Sequence, residues 1–313
     1  MCHYEWYRYH GNKAYLEQSR DYITALLRQL MTQIAPDGQE CLDGTRFLDW
    51  PSNSNKDAIA AGLQALMVWG MRVGVEFAEL FEDRQLSNDC KAAEKKLVKA
   101  ASKVYKKFLA SCPAPDAPGS KQVAALMTIT GLIDAPKADK EFLSINGAQG
   151  FSTFYGYYML EAMATAGNYQ GALDVIREYW GAMIDLGATS FWEDFDINWI
   201  PNATPIDELV PEGKKDIHGD CGAYCYVGFR HSLCHGWASG PTSWLSRHIL
   251  GVEVIEPGCR QVRITPHLGD LQWVKGTFPT PYGEIQIYHE KQANGNVISV
   301  SYTHLRAHET LRH

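Results

Sequence analysis

Residues 235–265 read HGWASGPTSWLSRHILGVEVIEPGCRQVRIT, and the character of the chain changes in the middle of them. Up to Leu250 the stretch reads as the last of a series of helices, covering about His235 to Leu250. From Val252 onward apolar and polar residues alternate in short runs: QVRIT, LQWVKGTF, EIQIYHEK and NVISV. Pro257-Gly258, Pro266-His267-Leu268-Gly269-Asp270, Pro279-Thr280-Pro281 and Asn294-Gly295 separate them. A period of two with turn residues between the runs predicts an antiparallel β module, because alternate side chains of a strand face opposite sides of the sheet. About four strands fit, and a sheet that stops there leaves an unpaired edge. The expectation is a β-sandwich module cut short.

Upstream of Gly251 the period is that of helices. After Gly11-Asn12, which reads as a cap, apolar residues fall at Ile23, Leu26, Leu27, Leu30, Met31 and Ile34. These are steps of three and four residues, one buried stripe. Ala35-Pro36-Asp37-Gly38 ends it. A second helix is expected from about Lys56 to Phe81, apolar nearly all round and therefore central. Others are expected from about Asn88 to Leu109, Lys121 to Ile133, Ser152 to Ala166 and Tyr169 to Leu186. Long helices joined by loops with no strands between them argue for stacked helical hairpins. The expected fold is mostly α, with a helical domain over 1–250 and a β module over 251–300.

Composition narrows the function. A net charge of −7 and a pI of about 5.9 offer no broad basic field for nucleic acid phosphates. The one basic run, Lys91 to Lys107, reads as the wet face of an amphipathic helix. No apolar run of 18 residues stands out, so no membrane partner is expected. Eight cysteines at 2, 41, 90, 112, 221, 225, 234 and 259 form no regular framework and read as free, buried thiols. Nine Trp and sixteen Tyr supply flat rings that suit a core and also the apolar faces of sugars.

The two ends look foreign to a complete gene. MCHYEWYRYHGN reads as the last turns of a helix, as if the chain began inside a larger protein. Residues 300–310, VSYTHLRAHET, resemble one reading frame of a common transposase-end sequencing adapter. Residues 301–313 are therefore set aside as a non-native tail.

Four stretches carry chemistry or its imitation. In GATSFWEDFD, residues 187–196, Glu193 follows Trp192 directly. One reading makes Glu193 a general acid or base beside an indole that stacks on a sugar. The other makes it a helix-start acid, with Ser190 or Asp194 capping. In GTRFLDWPSNSNKD, residues 44–57, Asp49-Trp50 is a second acid–ring pair, either part of a sugar cleft or of a capping loop that uses Ser54 or Asn55. His218, Cys221, Cys225, His231, Cys234 and His235 crowd one segment, but without the spacing of a closed zinc site. No metal and no cofactor are expected. In FSTFYGYYMLEAM, residues 151–163, Phe151, Tyr155, Tyr158 and Met159 form a stripe that reads as core, or as a helix that shows a tyrosine to a cleft. No phosphate-cradling glycine loop and no GxSxG elbow occurs.

The stretch SLCHGWASGPTSWLSRHILGVEVIEPGCRQVRITPHLGDLQWVKGTFPTPYGEI resembles the junction between helical barrel and C-terminal β module in bacterial α-L-rhamnosidases, the inverting six-hairpin glycosidases. The helical part, from HYEWYRYHGNKAYLEQ onward, resembles the same family. The resemblance implies a partial (α/α)6 six-hairpin toroid followed by a truncated antiparallel β-sandwich. It implies a glycoside hydrolase that takes terminal α-L-rhamnosides and binds carbohydrate. Ser190-Phe191-Trp192-Glu193 matches the family's Thr/Ser–apolar–Trp–Glu motif, so Glu193 is the candidate general base and Trp192 a candidate sugar contact. Ser232-Leu233-Cys234-His235 matches the context of a sugar-binding histidine that opens the following helix. Asp49 and Trp50 match an acid–Trp loop. The family's general acid lies in a region that would precede Met1, so this chain alone is expected to be inactive. Alternatives are a six-hairpin hydrolase for another glycan, a non-catalytic glycan-binding module, and a Cys/His metal or redox protein.

Overall fold

The structure, a computed structural model, describes residues 1–303 apart from 113, 218, 222–230 and 296. The chain opens with three short helices: α1 (Cys2–His10), α2 (Lys13–Gln18) and α3 (Arg20–Thr32). Gly11 closes α1 in the left-handed conformation, and the Asn12 side chain caps α2 by accepting from the Tyr15 N–H. Longer helices follow: α4 (Lys56–Leu80), α5 (Arg84–Ser111), α6 (Ser120–Ile129), α7 (Ala135–Ala138, continued by a π turn over Asp139–Leu143), α8 (Gly156–Thr165) and α9 (Tyr169–Asp185). Asn55 caps α4 through the Ala58 N–H.

Packing sorts these helices into two rows. α4 lies against α6, α6 against α8, and α8 against α10 (Gly240–Trp244). α5 backs α4, the π turn after α7 backs α6, and α9 backs α8. This alternation of inner and outer helices is a partial helical toroid. It places the loops ahead of α4, α6, α8 and α10 at one end, and those loops carry the site described below.

α4 is long and apolar enough to cross a membrane by length and composition, against the expectation that no such run exists. Two-thirds of its most apolar window, 67%, is buried inside the protein, where it is the spine of the helical part. Its polar members have partners: buried Gln64 donates to the carbonyls of Gly38 and Leu97 and accepts from the Glu40 N–H.

The expected helix over His235–Leu250 is broken. A 3-10 turn covers Gly236–Ala238, α10 starts only at Gly240, and a π turn runs through Leu245–Ile249. Pro241 accounts for the late start: it has no N–H to donate and fits only the first turn of a helix. The helix expected from Ser152 begins at Gly156; Ser152 instead caps the turn before it, its hydroxyl accepting from the Tyr155 N–H. Strands also occur where none was expected, a two-residue parallel pair of β1 (Ala203–Thr204) and β2 (Lys215–Asp216).

After Gly251 five strands form two antiparallel sheets. β3 (Val252–Glu256) pairs with β4 (Gln261–Ile264), and β5 (Trp273–Thr280), β6 (Gly283–Lys291) and β7 (Val297–Thr303) form a meander. β7 runs past residue 300, with Ser301 opposite Ile287 and Thr303 opposite Ile285. Those three residues of the segment set aside as non-native thus continue the sheet; residues 304–313 lie outside the described part. Gly251, at the switch from helix to strand, has φ +80°, and a Cβ there would stand 2.4 Å from the Thr265 carbonyl carbon. No L side chain fits that conformation and that space.

The module is fastened to the helices. Arg8 donates to the Val254 carbonyl at 2.8 Å, and the Gly258 N–H donates to the Arg8 carbonyl at 2.8 Å. Arg177 on α9 meets both oxygens of Asp270 at 2.8 and 3.0 Å. Between α3 and α4 an apolar groove of about 320 Å³ stays open, walled by residues such as Ile23, Leu27, Met67 and Phe77. All seven described cysteines are unpaired; Cys90, Cys112, Cys221 and Cys259 are buried, but Cys2, Cys41 and Cys234 are exposed, against the expectation of buried thiols throughout. Cys225 lies outside the described residues.

Candidate active site

Glu193 stands in the loop between α9 and α10, and that loop is stitched to residues 231–235. The Ser190 hydroxyl donates to the Leu233 carbonyl at 2.5 Å, and the His235 N–H donates to the Phe191 carbonyl at 2.7 Å. The Glu193 N–H donates to the Ser232 carbonyl at 2.8 Å, and the Ser232 N–H returns a bond to Glu193 Oε2 at 3.0 Å. The Glu193 carbonyl accepts from Thr153 Oγ1 and Trp237 Nε1, both at 2.7 Å. Both backbone polar groups of Glu193 and one carboxylate oxygen are therefore fixed by neighbours. Oε1 accepts no hydrogen bond from a described residue, and 17% of the side chain stays exposed. Ser190 does not cap a helix and Glu193 is not in one, so the helix-start reading falls.

His235 caps only the 3-10 turn and makes no side-chain capping bond. Its Nδ1 stands 4.0 Å from Glu193 Oε2, and its ring lies 4.2 Å from that of Trp237. Trp237 in turn sits 6.0 Å from the exposed ring of Phe154. A carboxylate, an imidazole and two rings thus share one rim at the mouth of the helical part. Trp237 and Phe154 were not singled out in the sequence. The signal was present in His235-Gly236-Trp237, one ring two residues past the candidate histidine.

Trp192 is corrected. The indole has 0% exposure and is packed in the main core against Phe195, with ring centroids 5.9 Å apart, so it has no face to offer a sugar. Strand-like alternation explains this: Phe191 and Glu193 point one way and Trp192 the other.

Asp49 is corrected as well. It is 2% exposed, and its Oδ2 accepts from Gln122 Nε2 at 2.9 Å and Ser152 Oγ at 2.7 Å, while Oδ1 caps the Trp50 N–H. Burial pushes its carboxyl above the ordinary range, and these donors pull it back. Asp49 is a hub that ties the loops ahead of α4 and α8 to the first turn of α6. Trp50 beside it is 38% exposed and meets Phe47 edge to face at 5.0 Å, so of this pair only the ring faces solvent.

Asp194 shows the strongest electrostatic perturbation of the loop. Burial pushes its carboxyl up to about 6; the neighbouring His231 and the Phe195 N–H oppose the rise, and Asp196 and Asp49 add to it. A carboxyl raised on folding is bound to its proton more tightly in the native state. Its contribution favours the fold below about pH 4 and is lost as pH rises through 6. Asp194→Asn should therefore raise stability at pH 7 by on the order of 2 kcal/mol and leave it unchanged near pH 4. Thermal unfolding of both proteins at the two pH values checks this; an equal shift at both would show that charge is not the cause.

No group of three or more potential metal ligands stands together among the described residues. His218 and Cys225 of the Cys/His segment lie outside them. His231 is 2% exposed and serves the backbone, with Nε2 taking the Asp194 N–H at 3.1 Å.

Residues 251–302 match the family model of the bacterial alpha-L-rhamnosidase C-terminal domain. Among solved structures, the GH78 family rhamnosidase of Bacillus sp. GL1 superposes with a TM-score of 0.67 at 20% identity, over 95% of this chain and 30% of that one. The alpha-L-rhamnosidase from Dictyoglumus thermophilum superposes with a TM-score of 0.68 at 19% identity, over 93% of this chain and 31% of that one. The chain thus spans about a third of the length of these structures. No curated protein sequence matches it.

Proposed function

From a chain that carries a bacterial α-L-rhamnosidase C-terminal domain behind the helical fold of the GH78 rhamnosidases, we propose the C-terminal part of a glycoside hydrolase that removes terminal α-L-rhamnose with inversion. The single observation that carries the reading is the Glu193 carboxylate. It is held by its backbone and by Ser232, has one oxygen that accepts no hydrogen bond among the described residues, and stands beside His235 and Trp237 at the mouth of the toroid.

In this reading Glu193 is the general base. Oε1 takes a proton from a water, whose oxygen attacks the anomeric carbon from the face opposite the leaving group. A partner acid protonates the departing oxygen. Inversion needs the two carboxyl groups roughly 6.5–9.5 Å apart so that the water fits between them. No described residue of this chain is assigned as that acid. His235 hydrogen-bonds a sugar hydroxyl, and Trp237, with Phe154 behind it, takes over the apolar wall that Trp192 cannot provide. Trp50 lines the far rim.

The apolar groove between α3 and α4, at whose edge Tyr22 and Leu26 are exposed, supports a longer protein in which further hairpins cover it. The 313-residue chain alone is accordingly proposed to be inactive.

The test is to express a complete protein that carries this chain, supply an aryl α-L-rhamnoside, and follow the released sugar by proton NMR. Early appearance of the β-anomer supports inversion, and early appearance of the α-anomer overturns it. No hydrolysis of any α-L-rhamnoside would move the substrate to another glycan.

A further inference from the structure

The ladder that fixes Glu193 ends in a side chain. Along residues 190–194 and 231–235 the rungs up to Glu193 use the Ser190 hydroxyl, backbone carbonyls and N–H groups, and the Glu193 carboxylate. At Asp194 the acceptor is the imidazole of His231, with Nε2 3.1 Å from the Asp194 nitrogen. The other ring nitrogen, Nδ1, is 3.0 Å from the Ile217 carbonyl. With Nε2 accepting from the Asp194 N–H and Nδ1 on the Ile217 carbonyl, the two bonds fix one orientation of the ring. The ring is 2% exposed and stands edge-on to Trp192 and Trp199, with centroids 6.4 and 6.0 Å away. It therefore has little room to turn.

His231 precedes Ser232, whose N–H holds Glu193 Oε2. The imidazole thus anchors the 231–235 segment to Ile217 on one side and to the backbone directly after Glu193 on the other. We propose that His231 is a positioning residue for Glu193: its imidazole sets the spacing at which the Ser232 N–H meets the carboxylate, and so the direction in which Oε1 points. The effect on turnover rests on the general-base reading; the effect on geometry does not.

Without the acceptor the Asp194 N–H loses its partner at the end of the ladder. Glu193 keeps its charge but its carboxylate swings. A misplacement of about 1 Å at a reacting group costs on the order of 10²-fold in rate.

Two readouts in a complete protein test this. In His231→Phe, hydrogen exchange followed by mass spectrometry should speed at least tenfold in peptides over 190–196 and 231–235, with exchange elsewhere unchanged. Turnover on an aryl α-L-rhamnoside should fall by about 10- to 100-fold with KM held within a factor of two. His231→Gln, whose side-chain carbonyl reaches the same N–H, should recover most of both. Wild-type exchange in these two segments in folded His231→Phe overturns the proposal, whatever the substrate. Accelerated exchange with unchanged turnover overturns its catalytic part alone. A parent protein that hydrolyses no rhamnoside overturns the general reading, and exchange still decides the role of His231. If His231→Phe fails to fold, His231→Gln and His231→Asn replace it, and equal exchange in the two sinks the proposal, because only Gln reaches the Asp194 N–H.

Discussion

Glu193→Gln in a complete protein lowers turnover on an aryl α-L-rhamnoside by about 10²- to 10⁴-fold, the usual worth of a general base, with KM little changed. The amide has the shape of the carboxylate, and its oxygen still accepts from the Ser232 N–H that now reaches Oε2 at 3.0 Å. The backbone bonds from Thr153 and Trp237 end on the carbonyl of residue 193 and are untouched. What disappears is the basic oxygen that would take a proton from water. The measurement is steady-state kinetics of the two proteins with matched thermal unfolding, so that loss of fold is separated from loss of base. Turnover within threefold of wild type would rule Glu193 out of proton transfer.

The second large effect falls one residue earlier and on stability. Trp192→Ala should cost about 3–5 kcal/mol, the range for removing a large aromatic side chain from a packed core. The ring is wholly buried among Phe195, His231 and the surrounding core. Its Nε1 is buried without a hydrogen-bond partner among the described residues, so Trp192→Phe removes an unsatisfied donor along with some volume and should cost much less. Neither change should alter KM by more than about twofold in the fraction that folds, because the indole has no surface at the cleft. Trp237→Phe is the control: it removes the donor to the Glu193 carbonyl and reshapes the exposed wall. A rise in KM for Trp192→Phe, with none for Trp237→Phe, would restore Trp192 as the sugar contact. Chemical unfolding and saturation curves on the three variants separate these outcomes.

Much of the architecture was legible because it rests on local chemistry. The apolar stripe at Ile23, Leu27 and Leu30 put α3 in place, and Asn12 and Asn55 act as caps through their own side-chain oxygens. The turn from helix to strand at Gly251 was readable because the period of apolar residues changes there. The break within 235–250 was less visible: hydrophobic spacing continues through it, while one missing N–H at Pro241 starts the helix five residues late. The short pair β1–β2 has two residues per strand, too few for any period to show.

The site divides in the same way. Sequence by itself determined a helical part with a β module behind it; Glu193 and His235 were paired only through the resemblance of their short motifs to those of the rhamnosidases. Only the tertiary structure decided which neighbouring rings meet solvent. Trp192 and Trp237 are both tryptophans near an acid, and spacing treats them alike. Burial separates them because the 190–194 segment alternates its faces, one against the core and one along the ladder to Ser232. The same alternation puts Asp49 inside, where it joins two loops to α6, and leaves Trp50 at the rim. Which face is inward depends on distant partners, Ser152 lying 103 residues from Asp49 and Ser232 lying 39 from Glu193, and no period in the sequence reports those contacts.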